Sequence, residues 1–111
     1  MLSPRLFIAQ RVTALLLAPF VLGHLAGIIC AVHGGLDAAE ILARTRGNPW
    51  LAAFYQLFVV LAAFHAAIGV RVICAEFSRG RLREIHLDII ATGVGLTLLC
   101  MGGFAVVAVV V

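Results

Sequence analysis

The sequence predicts an all-α integral membrane protein: a bundle of three transmembrane helices with a short interfacial helix in the first loop. Three uncharged runs carry this expectation, at residues 12–32, 50–70 and 89–111, of 21, 21 and 23 residues. A helix needs about 20 apolar residues to cross the hydrocarbon core of a bilayer. Composition agrees, with 64% hydrophobic and 12% charged residues and a mean hydropathy of +1.17. So little polar surface could not cover a soluble core. The 111 residues are read as one domain.

Charge then sets the expected topology. All eight basic residues are arginine. Arg5 and Arg11 precede or open the first run; Arg71, Arg79, Arg81 and Arg83 close the second or follow it, and only Arg44 and Arg46 occupy the first loop. The positive-inside bias puts the N-terminus and the second loop in the cytoplasm and the C-terminus outside, with a bacterial inner membrane as the expected location. The net charge of +3 is thereby accounted for as a topology signal. No nucleic-acid partner is expected, because the arginines are not interleaved with exposed aromatic residues.

Along the chain, Ser3-Pro4 reads as a helix start, a capping hydroxyl followed by proline at the first helical position. Helix I is expected over residues 4–32, with a kink near Pro19 unless neighbouring groups satisfy the freed carbonyl. The first run is too long for the apolar region of a cleaved leader. Gly34-Gly35 ends it, and residues 36–46 have the apolar spacing of a short helix lying on the outer membrane surface. Gly47-Asn48-Pro49 is a break, with Asn48 as cap for helix II over residues 49–77. Trp50 and Tyr55 fall at interface depth. The segment Ser78-Arg79-Gly80-Arg81 is the turn, and helix III is expected over 84–111. The cysteines Cys30, Cys74 and Cys100 form no C-x-x-C and are read as small buried hydrophobes.

Ionisable groups inside a membrane cost about 2.5–3.5 kcal/mol on insertion scales, so each one calls for a role. His65 is the deepest, roughly 6 Å from mid-membrane. Ala62, Ala66 and Gly69 lie near it on the helix and leave a flat surface. A flat surface admits either a neighbouring helix or a planar macrocycle. On these residues alone, a hydrogen bond across the bundle and ligation of a haem iron stand level. Glu76, eleven residues on, shares the His65 stripe at the cytoplasmic edge. His24 lies ~16 Å from His65 along the membrane normal, so the two cannot serve one iron. It sits between Gly23 and Gly27, where a hydrogen bond at a close helix crossing is expected. His33 and His86 are read as solvated at the surfaces.

Gln10, Arg11 and Thr13 meet Glu76, Arg71 and the arginine-rich loop at the same boundary. They suit either headgroup contact or a polar pocket for a haem propionate or a quinone carbonyl.

"QRVTALLLAPFVLGHL" on helix I followed by "HAAIGVRVICAEF" on helix II resembles the membrane-anchor subunits of succinate dehydrogenase and fumarate reductase, the cytochrome b-556 family. Those anchors carry R-x-[ST]-[GA] at the start of helix I and H-x-x-x-G-x-R/Q on helix II, with an acidic residue eleven after the histidine. The resemblance implies that His65 is the axial ligand of a b-type haem shared with a second anchor subunit, with Gly69 and Arg71 beside it. Arg11 would contact a propionate or the quinone, and Thr13 and Glu76 would belong to the quinone site. Phe77 stands where one anchor type has a tyrosine, and Phe7 where the other has a serine. The implied partners are a second membrane anchor, an iron–sulfur subunit and a flavoprotein subunit. The implied role is non-catalytic passage of electrons between iron–sulfur clusters and membrane quinone. A cofactor-free helical scaffold and a small proton-coupled transporter using His65 and Glu76 are the competing expectations.

Overall fold

A computed structural model describes residues 3–111. It contains four helices in the order α1 (Pro4–Gly34), α2 (Ala38–Thr45), α3 (Pro49–Ser78) and α4 (Glu84–Val110). The three long ones, of 31, 30 and 27 residues, are each long and apolar enough to cross a membrane. Strands are absent among the described residues.

The helix starts form for local reasons. The Ser3 hydroxyl accepts from the Leu6 N–H at 3.3 Å, and Pro4 occupies a position where no donor is needed. Asn48 Oδ1 accepts from the N–H groups of Trp50 and Leu51 at 3.1 and 3.2 Å. The short helix α2 opens with a capping box in which Asp37 and Glu40 satisfy each other's backbone donors. Helix α1 stays helical through Pro19 and ends where Gly35 adopts φ 112°, a region that disfavours side chains.

Helix α3 is the middle of the bundle, packed along α4 on one side and α1 on the other. The α3–α4 seam is built on small residues. Ala63 and Ala91 are buried, and a methyl group built at Gly95 would stand 3.3 Å from Ala67 Cβ. At Gly102 it would stand 2.6 Å from Val59 Cγ1, so glycine is what lets the backbones approach there. Helix α1 contributes no buried residue.

The helix ends that lie near α2 are tied through it. Arg44 donates to the carbonyls of Gly34 (3.1 Å) and Gly35 (2.7 Å) at the end of α1. Thr45 Oγ1 donates to the Val109 carbonyl at 2.6 Å, and the Gly47 N–H to that of Val110 at 2.7 Å. Terminal carbonyls have no partner within their own helix, so α2 supplies donors to two spans at once.

Candidate functional site: the His65 groove

His65 lies on the side of α3 that faces α1. Its Nδ1 is 3.1 Å from the hydroxyl of Thr13, 52 residues away in sequence. That hydroxyl is also 2.8 Å from the Ala9 carbonyl and 3.0 Å from that of Gln10, the usual back-bond of a threonine in a helix. The imidazole opens on a groove of about 680 Å³ whose other wall is α1, presenting Gln10, Arg11, Ala14, Leu15 and Ala18. Arg11, Ala14, Leu15 and Ala18 recur at helical spacing, so one stripe of α1 forms the wall. Ala14 and Ala18 are the low points of that wall, beside the Val12 and Leu15 side chains, and a guanidinium stands at its end.

Arg11 is exposed and lies over the Phe7 ring with its Cζ 5.2 Å from the ring centre. Neither of the two ion pairs found among the described residues involves it. Gln10, at the edge of the groove, reaches α3 with its amide: its Nε2 would be 3.4 Å from a methyl on Gly69, and its Oε1 is buried without a partner. The flat spot at Gly69 is therefore covered by α1.

His24 has a different setting. Its ring packs edge-on to Tyr55, with centroids 5.7 Å apart, and against Phe58 at 5.5 Å, in a cluster that also holds Phe20 and Phe54. Its Nδ1 is buried with no hydrogen-bond partner. The hydrogen bond expected here is thus missing at Nδ1, and the flanking glycines receive rings rather than a backbone. A methyl on Gly23 would meet Phe54, and one on Gly27 would stand 3.3 Å from the Tyr55 hydroxyl. Eleven residues separate Thr13 from His24, about 16 Å along α1. With Thr13 level with His65, the two histidines are as far apart as the sequence implies.

Arg71 turns away from the groove. It pairs with Glu84, and its Nε donates to Asp88 at 2.8 Å, both on the first turns of α4, with only 11% of its side chain exposed. Glu76 is exposed at the end of α3, in a polar depression lined with Phe77, Ser78, Arg79, Arg81 and Leu82. That depression is separate from the His65 groove.

The chain matches the family described as succinate dehydrogenase/fumarate reductase transmembrane subunit over residues 3–111. It belongs to that family. It is also 28% identical over 91 residues, 82% of this chain and 77% of the other, to a succinate dehydrogenase hydrophobic membrane anchor subunit of Archaeoglobus fulgidus. No solved structure matches it. As a transmembrane subunit it works within an assembly of the other subunits of such a complex.

Of the residues singled out in this anchor's sequence, the fold brings together Gln10, Arg11, Thr13 and His65. It places Glu76 beyond them at the helix end and commits Arg71 to α4. Ala14 closes the helix I motif and Ala18 lies beyond it, and neither is marked by that motif as the low part of the wall. Their spacing of three and seven from Arg11, on the stripe of the family motif, was the available signal.

Proposed function

We propose that this chain is the haem-holding membrane anchor of a succinate:quinone oxidoreductase, carrying electrons between the iron–sulfur subunit and membrane quinone. His65 would hold the iron of such a group, with a second anchor subunit completing its ligand set. The observation that carries this reading is the His65 groove itself. An imidazole stands there with one nitrogen held by Thr13, a wall with Ala14 and Ala18 as its low points faces it, and Arg11 sits at the rim.

The residues suit such a group. His65 Nε2 has no hydrogen-bond partner among the described residues. Ala14 and Ala18 carry small side chains that suit a planar ring, and the Arg11 guanidinium would pair with a propionate carboxylate. Bound there, a b-type haem supplies one-electron oxidation and reduction. The chain's own part is to orient the imidazole, exclude water with the aliphatic wall and balance charge with Arg11. Glu76 and the loop arginines form the polar end at which a quinone and the peripheral subunits meet the anchor. The positive-inside bias makes that end cytoplasmic.

The test is a visible spectrum of the purified complex. A bis-histidine b-type signal is expected in the wild type and should vanish in His65→Ala while the subunits still assemble. An assembled wild-type complex without haem would leave a helical tether and defeat the proposal.

A further inference from the structure

We infer that Thr13 is a positioning residue for His65: its hydroxyl fixes the imidazole in the Nδ1–H tautomer and leaves the Nε2 lone pair pointed into the groove. The inference rests on the haem reading for its consequence, but its geometry stands alone.

The Thr13 hydroxyl has one proton and three acceptor-capable neighbours: the Ala9 carbonyl at 2.8 Å, the Gln10 carbonyl at 3.0 Å and His65 Nδ1 at 3.1 Å. Carbonyl oxygens only accept, and the nearer one lies four residues back on the same helix, where a threonine hydroxyl ordinarily donates. With its proton committed there, the oxygen meets His65 through a lone pair. Nδ1 must then carry the hydrogen, since two facing lone pairs so close in an apolar setting repel. A neutral imidazole protonated at Nδ1 is unprotonated at Nε2.

The arrangement also has an electronic effect. A ring N–H that donates makes the opposite nitrogen a stronger base, and a more basic ligand favours the more highly charged metal. Thr13 therefore acts through the ligand. The Ala9 carbonyl forms the last link of a three-member chain from backbone through hydroxyl to imidazole.

The experiment uses the assembled complex in membranes with Thr13→Val, which keeps the shape and removes the oxygen, and Thr13→Ser, which restores it. Thr13→Val should raise the haem midpoint potential and weaken haem retention roughly 10-fold, the lower end for loss of a partner to a ligating histidine. Thr13→Ser should restore both. A wild-type potential and retention in Thr13→Val would overturn the assignment. A second measurement needs neither haem nor variant folding. The ¹⁵N shifts of His65 in the haem-free full chain in lipid should report protonation at Nδ1; protonation at Nε2 would overturn the inference. Absence of haem from the wild-type complex would defeat the proposed function but leave this tautomer measurement decisive.

Discussion

The two seams along α3 are built on opposite terms. Against α4, α3 presents Ala63, Ala67 and Val59, and α4 answers with Ala91, Gly95 and Gly102, so the helices meet through small groups and close backbones. Against α1 the contacts are rings and polar atoms: Thr13 with His65, Gln10 beside Gly69, Phe20 and His24 among Phe54, Tyr55 and Phe58. All six buried hydrophobic residues among those described lie on α3 or α4. Packing between membrane helices depends on surface fit, because lipid is as apolar as the helices themselves. The α3–α4 seam therefore holds the buried core, whereas the α1–α3 seam is looser and leaves an open groove beside His65.

The strongest way to break this contrast is Gly102→Leu. Its first carbon would overlap the branched Val59 side chain, 2.6 Å from Cγ1 and 2.9 Å from Cγ2, so the helices must shift apart, and overpacking of this kind costs about 1–3 kcal/mol or more. Denaturation in detergent should show that loss, with the His65–Thr13 contact retained until α3 and α4 part. His24→Phe should sharpen the contrast from the other side. It removes a buried nitrogen that lacks a partner and keeps an aromatic ring against Tyr55 and Phe58. Stability should hold or rise by about 1 kcal/mol in the same assay, since an unsatisfied buried polar atom costs at least that much. Haem content should be unchanged. The smallest effect is expected of Arg71→Met. The carboxylates it leaves, on Glu84 and Asp88, are 69% and 59% exposed and can hydrate, so the loss should stay below about 1 kcal/mol. The spectrum of the complex should not move, because the Arg71 guanidinium faces α4.

The spans were legible because each is a one-dimensional property: a run long enough to cross, with the first two opened by Ser3-Pro4 and Asn48-Pro49 and the first stopped at Gly34-Gly35. The pairing of Arg71 was not. Its partners lie 13 and 17 positions later across a turn, and nothing in local spacing says that α4 folds back onto that side of α3. The depth of His65 relative to His24 followed from rise per residue alone, because depth along a span needs no knowledge of rotation. What His24 touches did need it. Gly23 and Gly27 fit a close helix crossing equally well whether a backbone or a phenyl ring fills the notch. The small-residue surface beside His65 was legible on α3, but its counterpart on α1 was hidden within an alanine- and leucine-rich run.

The ties made by the short first-loop helix have a mechanical consequence. Helices α1 and α4 flank α3 without a packed seam of their own, yet Arg44 grips the tail of one while Thr45 and Gly47 grip the tail of the other. The loop thus works as a yoke. Any lengthening between Gly35 and Asn48 would free the first span to slide against the third, and the spacing of the His65 groove would drift with it.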